Sequence, residues 1–221
     1  MTFFREPTRQ EQTLIYRALD RWGVFDALEG QVFLVDDSGK VSLVSPELAN
    51  IIREMTKAQI QQRQPKVAGL VIGGLGNKTK KKRQFGPTLA GAGLFARIGG
   101  REKKRRYYVE VGHNAEKLVL YGRDVMGESI TEASSELDEN ELVILVNDRG
   151  EAIGIGRTRF SGKGILQKGR VTITTLADAG SYLRDEDYDD NDTKESAEAK
   201  MVTKMMMMMM KKNDETDASV R

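Results

Sequence analysis

The sequence predicts an α+β protein in three parts. An N-terminal α/β domain covers residues 1–115, a small β-barrel with a basic rim covers 116–185, and an acidic tail covers 186–221, outside the fold. Three observations carry this reading. First, Glu141 to Tyr182 holds two β-like runs, Leu142–Val146 and Val171–Thr175, and between them Gly150–Thr158 alternates small apolar residues with glycines. Such glycines let a strand bend sharply or approach a partner closely, as a small curled barrel requires. Second, helical and strand-like patterns alternate through the first hundred residues. Third, the apolar pattern stops beyond Arg184, where DEDYDDNDTKESAEAK has the composition of a disordered or solvated segment.

Taken in order, Thr8 or Pro7 opens a helix through RQEQTLIYRALDRWGVF, with Leu14, Ala18, Leu19, Trp22 and Phe25 near helical spacing and Gly23 at its end. Gln31–Val35 and Lys40–Val44 read as a hairpin around the turn Asp36-Asp37-Ser38-Gly39. Ser45 caps a second helix with Pro46 at its first position, and Leu48, Ile51, Ile52, Met55 and Ile60 supply a buried face before Pro65 stops it. Val67–Ile72 is a strand, Gly73–Asn77 a flexible turn, and Phe85–Leu89 a further strand, while Ala90–Gly100 is too rich in glycine and alanine to assign. Tyr107–Val111 and Lys117–Tyr121 read as strands, with the domain boundary between them at His113–Glu116. Arg123–Ile130 reads as a short helix, Thr131–Asn140 as a polar helix end or loop, and Ala177–Leu183 as a terminal helix or turn. Met205–Met210 is a homopolymeric run with no globular role, so residues 186–221 are left out of the fold.

Composition narrows the function. The chain has no cysteine, which excludes disulfides and thiolate metal sites and suits a reducing compartment. Its single histidine, His113, lacks the partners a histidine-based metal centre needs, and no acid and nucleophile flank it as a catalytic base requires. His113 therefore reads as a surface residue at a domain junction. No apolar run reaches the roughly 18 residues of a membrane-spanning helix. The opening MTFFREPTRQEQ lacks an apolar segment and does not read as a signal peptide.

The formal charge of +2 hides a separation. Arg53 to Arg123 carries 17 Lys and Arg against 4 Asp and Glu, a net of +13, and 185–200 carries a net of −6. A basic middle calls for a polyanion, and an acidic tail for competition with one.

GGLGNKT at 73–79 invites comparison with a phosphate loop, but Asn77 separates Gly76 from Lys78-Thr79, and KKKRQF follows instead of a helix. It reads as a turn into a basic loop. The two basic runs hold Lys78, Lys80, Lys81, Lys82 and Arg83, then Lys103, Lys104, Arg105 and Arg106. Read blandly they are solvated loops or targeting signals; beside Phe85, Tyr107 and Tyr108 they suit phosphate contacts with base stacking. Arg157, Arg159, Lys163, Lys168 and Arg170 lie among glycines 162, 164 and 169. They are read as a phosphate-tracking rim in preference to an edge protected from aggregation by charge.

The order of these segments resembles a known family. KLVLYGRDVMGESI, then ELVILVNDRGEAIGIGRT, then KGRVTITTLADAGSYLRDE, with VIGGLGNKTKKKRQF and YVEVGHNAEKLVLYG upstream, is similar to the Nip-seven ribosome biogenesis family, over about residues 1–186. The resemblance implies a pre-PUA α/β domain followed by a PUA pseudo-β-barrel (the pseudouridine-synthase and archaeosine-transglycosylase RNA-binding fold). It implies a non-catalytic, archaeal-type factor in large ribosomal subunit biogenesis and rRNA processing, with no cofactor and no metal. By position, the family's RNA-contacting cations fall among Arg157, Arg159, Lys163, Lys168 and Arg170. The basic 78–106 region departs from the family and suggests a larger RNA footprint, with Tyr107 and Tyr108 as stacking residues. The expected partners are precursor ribosomal RNA and ribosome assembly proteins, without membrane association, for a monomer in the cytoplasm of an archaeon or the nucleolus or nucleus of a eukaryote. The rivals are an RNA-modification enzyme or accessory subunit carrying a PUA domain, and a protein-interaction scaffold.

Overall fold

The computed structural model describes residues 3–57, 65–76, 84–99, 106–182 and 184. Residues up to Gly180 form one compact unit built on two sheets, and a second unit begins at Ser181. Helix α1 (Arg9–Arg21) starts at Thr8, whose side chain accepts from the Glu11 backbone while the Glu11 carboxylate accepts from the Thr8 N–H. This reciprocal cap satisfies donors that a helix start otherwise leaves open. Glu11 is buried and also takes both guanidinium nitrogens of Arg5, at 2.7 and 2.9 Å.

The first sheet has the antiparallel order β1 (Val32–Val35), β2 (Lys40–Val44), β3 (Leu70–Leu75) and β4 (Phe85–Pro87). The glycines read as a turn at 73–74 lie inside β3 and pair with both β2 and β4. Helix α2 (Pro46–Lys57) buries Ala49 and Ile52 against Leu34 and Val44, with Leu48 packed alongside. Ile51 is exposed, on a face of the helix that no buried cluster covers among the described residues. Ile60 lies outside the described residues.

The stretch too rich in glycine and alanine to assign is helix α3 (Leu89–Gly99). Its small residues are there for proximity: a Cβ on Gly91 would stand 1.9 Å from the Ile72 carbonyl oxygen of β3. Phe95 of α3 stacks on Trp22, with ring centroids 5.6 Å apart.

The second sheet runs in the order β6 (Val125–Met126), β10 (Val171–Asp178), β9 (Ala152–Thr158), β8 (Leu142–Val146), β5 (Tyr108–Val111) and β7 (Ile130–Ala133). Only the β5–β8 pairing is parallel. Side chains from β6 and β7, at opposite ends of this order, enter one cluster with Val143, Leu145, Ile165 and Ile173, so the sheet curls around its core as a pseudo-barrel. Gly156 permits that curl, since a Cβ there would lie 2.4 Å from Cγ2 of Ile173. Strand β8 is buried on both faces: Val143 and Leu145 face the barrel core, while Ile144 and Val146 join Trp22, Phe95 and Ile72 in the other core. Its unbroken apolar run follows from this.

Several expectations are corrected here. Lys117–Tyr121 is not a strand; it is the end of helix α4 (His113–Leu120), which buries Ala115 and Val119, four residues apart, and leaves Leu118 and Tyr121 exposed. The short helix expected at Arg123–Ile130 is strand β6 and a 3-10 turn at Gly127–Ser129, leading into β7, which begins at Ile130. The terminal helix or turn read from Ala177 begins two residues later, because β10 continues to Asp178; a turn follows at Ala179 and Gly180, and Ser181 and Tyr182 are helical. Of Tyr107–Val111, read as the last strand of the first domain, Tyr108–Val111 is β5 and pairs with β7 and β8 of the second sheet. Among the described residues no helix is long and apolar enough to cross a membrane.

Candidate functional site

The five cations read as a rim all lie at one end of the β9–β10 hairpin. Arg157 is on β9 opposite Thr174 of β10, and its Nη1 donates to the Asn140 carbonyl at 2.9 Å. Arg159 follows the end of β9, where its N–H donates to the Thr172 carbonyl. Lys163 sits in a 3-10 turn at Gly162–Leu166, anchored by the fully buried Ile165. Lys168 and Arg170 occupy the return into β10, and Lys163, Lys168 and Arg170 are all exposed. The tip is tied down from the barrel side: the Arg170 carbonyl accepts from Gly127 N–H, and the Glu128 carboxylate accepts from Gly169 N–H at 2.9 Å. Its own backbone N–H, then that of Gly169 and the charge of Lys168, hold the Glu128 carboxyl below the usual carboxylate range.

Two further groups adjoin this surface and were not singled out from the sequence. Asp124 accepts from Arg159 Nη2 at 2.7 Å and from the Thr175 N–H at 3.0 Å, while Thr175 Oγ1 donates to the Arg123 carbonyl at 2.8 Å. These bonds place exposed Arg123 and the end of α4 beside Arg159. Tyr121, at that helix end, is 70% exposed and offers an open ring. The signal that could have found it is the helical spacing of Ala115 and Val119, which turns Tyr121 outward; alternation read the same residues as a strand.

The stacking assignment of Tyr108 is overturned. Its side chain is 5% exposed, and its hydroxyl lies 3.1 Å from both the Trp22 and Phe95 carbonyls, so its ring belongs to the core. Tyr107 and Arg106 are brought together, but in acidic surroundings. The guanidinium carbons of Arg21 and Arg106 lie 4.1 and 5.2 Å from the Tyr107 ring centroid, and Arg21 is ion-paired with Glu141. Arg106 faces Glu136, Asp138 and Glu141 at 3.6–3.9 Å. This network lines a cleft of about 1150 Å³, where Glu110 and Glu132 add to the carboxylates. Among the described residues, Arg106 and Tyr107 are therefore engaged with protein partners in carboxylate-rich surroundings. Lys78, Lys80, Lys81, Lys82, Arg83, Lys103, Lys104 and Arg105 lie outside the described residues.

His113 opens α4 on the surface, with Nδ1 3.7 Å from Glu116. Among the described residues no group of three or more His, Asp and Glu is arranged to hold a metal ion.

The order of domains is matched by family models. Residues 4–89 match the NIP7/UPF0113 pre-PUA domain, and residues 107–187 match the UPF0113 PUA domain. The UPF0113 protein of Archaeoglobus fulgidus is 33% identical over 185 residues, covering 82% of this chain and 94% of that one. The chain belongs to the NIP7/UPF0113 family. A second UPF0113 protein, from Aeropyrum pernix, is 29% identical over 182 residues, covering 81% of this chain and 91% of that one. The fold is shared with a conserved PUA domain protein from Thermoplasma acidophilum, at a TM-score of 0.54 and 13% identity over 83% of this chain and 97% of that one. A hypothetical protein from Pyrococcus horikoshii gives the same TM-score at 16% identity, over 80% of this chain and 95% of that one. In this NIP7/UPF0113 protein, the cationic end of the β9–β10 hairpin belongs to the PUA domain, and a PUA domain implies RNA binding.

Proposed function

We propose that this protein is a non-catalytic RNA-binding factor in large ribosomal subunit biogenesis, acting on precursor ribosomal RNA. The observation that carries the reading is the concentration of Arg157, Arg159, Lys163, Lys168 and Arg170 at one end of a PUA hairpin whose tip is fixed by backbone bonds. A fixed, exposed array of cations suits a phosphate backbone, since lysine and arginine neutralise phosphates whatever the sequence. Tyr121 at the neighbouring helix end replaces Tyr107 and Tyr108 as the surface for an unpaired base, because it alone of the three is exposed. Assignment to the large subunit rests on family membership.

The test is fluorescence anisotropy with a structured ribosomal RNA fragment and a uridine-rich single strand. The wild-type protein is compared with a variant carrying alanine at the five cations. The expected result is a large loss of affinity for both RNAs with an unchanged circular dichroism spectrum. Equal binding by the two proteins would remove RNA recognition from the hairpin.

A further inference from the structure

Resting on that reading, we propose that Asp124 is a positioning residue. It holds the Arg159 guanidinium flat on β10, so that one terminal nitrogen is presented to an RNA phosphate. Three bonds fix Arg159: its N–H to the Thr172 carbonyl, its Nε to Thr174 Oγ1 at 2.7 Å, and its Nη2 to Asp124 Oδ2 at 2.7 Å. The clamp is itself anchored, because the other Asp124 oxygen accepts from the Thr175 backbone. Nη1 has no protein partner among the described residues, so the guanidinium keeps a donor directed away from both bonds. Arg159 and Asp124 are 46% and 34% exposed. An ion pair this open contributes little to folding, which leaves orientation as what the arrangement supplies.

An arginine side chain has many rotamers, and ordering it on contact with a ligand weakens binding. A clamp that orders it beforehand removes that cost. The same carboxylate opposes an approaching phosphate, so loss of Asp124 has two effects of opposite sign. A phosphate on the same guanidinium would stand inside the Debye length of about 8 Å, so salt leaves much of the repulsion in place. On this proposal ordering outweighs it, and removing the clamp weakens binding despite the gain of one positive charge.

Asp124→Asn separates clamp from fold. The amide oxygen can still accept from Thr175 N–H, while the amide nitrogen cannot accept from the guanidinium. Uridine-rich single-stranded RNA is titrated with the full-length wild type, D124N, R159A and the double variant. R159A is expected to weaken binding, D124N to weaken it roughly 3- to 10-fold, and the double variant to match R159A alone. The salt slope of D124N should equal that of wild type or steepen by at most about 0.7, since one counter-charge is removed and no cation is lost. Binding by D124N as tight as wild type or tighter, with R159A weakened, would show Asp124 to be a counter-charge and overturn the proposal alone. Equal losses from D124N in the presence and absence of Arg159 would also overturn it, as a general structural effect. If R159A binds like wild type, Arg159 is not on the RNA surface and the proposal fails, whereas the RNA-binding reading is decided separately by the five-alanine variant.

Discussion

Replacing Tyr108 with phenylalanine separates a core tyrosine from an RNA-stacking one. The ring is buried among Trp22, Val24 and Phe95, and phenylalanine keeps that packing. What is lost is the hydroxyl, whose proton is shared between the Trp22 and Phe95 carbonyls at 3.1 Å each. A buried hydrogen bond contributes about 1 kcal/mol net, and leaving acceptors dry adds to the loss, so the expected cost is about 1–2 kcal/mol. For a unit of this size, 1 kcal/mol moves the midpoint by about 2–4 °C, so Tm should fall by roughly 2–8 °C. Thermal unfolding followed by circular dichroism measures this, and anisotropy at 25 °C measures RNA binding on the same preparation. The account expects lower Tm and unchanged affinity. Weakened RNA binding at unchanged Tm would show that Tyr108 reaches the ligand, and the burial argument would be wrong.

Two other substitutions probe the frame. Gly91→Ala brings a methyl group against the Ile72 carbonyl oxygen; although alanine favours a helix, the clash should cost roughly 2–3 kcal/mol in urea unfolding, and an unchanged or higher midpoint would show that α3 can shift away from β3. Glu11 is held well below its ordinary value of 4.5, first by Arg5 and then, against the opposing effect of burial, by the Thr8 cap. A depressed carboxyl adds stability that is complete above its unfolded pKa and is lost as pH falls through the folded one. Stability should therefore decline below about pH 4.5 in the wild type, and E11Q should be less stable at neutral pH with a flatter acid limb; parallel curves for the two proteins would contradict this.

The fold was legible where one periodicity dominated. The Thr8 to Glu11 spacing, the 32–44 hairpin, Ser45-Pro46 and the apolar run of β8 each have a single reading. It was lost where short apolar runs admit two. In KLVLY, alternation and helical spacing both fit, and only the extended Gly112 entry with Ala115 and Val119 beneath makes it a helix. Gly73 read as part of a flexible turn and Gly91 as part of an unassigned stretch, yet both are set by close neighbours, the Gly86 carbonyl and Phe85 ring for one and the Ile72 carbonyl for the other, which a one-dimensional pattern does not carry. The hairpin cations were legible as a basic cluster. Their counter-charges Asp124 and Glu128 were not, because they come from the residue before β6 and the turn after it, more than thirty residues away along the chain. The same distance hid the carboxylates around Arg106 and Tyr107.

The central claim is that phosphate neutralisation at the β9–β10 hairpin drives RNA binding, and a salt titration tests it most directly. Asp124 opposes Arg159 and Glu128 lies beside Lys168, leaving three to five cations to displace counterions. The log–log slope for a uridine-rich single strand should lie between about −2 and −3.5, at about −0.7 per phosphate. The five-alanine variant should bind weakly with a slope near zero. A variant that retained both the affinity and the slope of the wild type would place the RNA elsewhere on the protein and contradict the account.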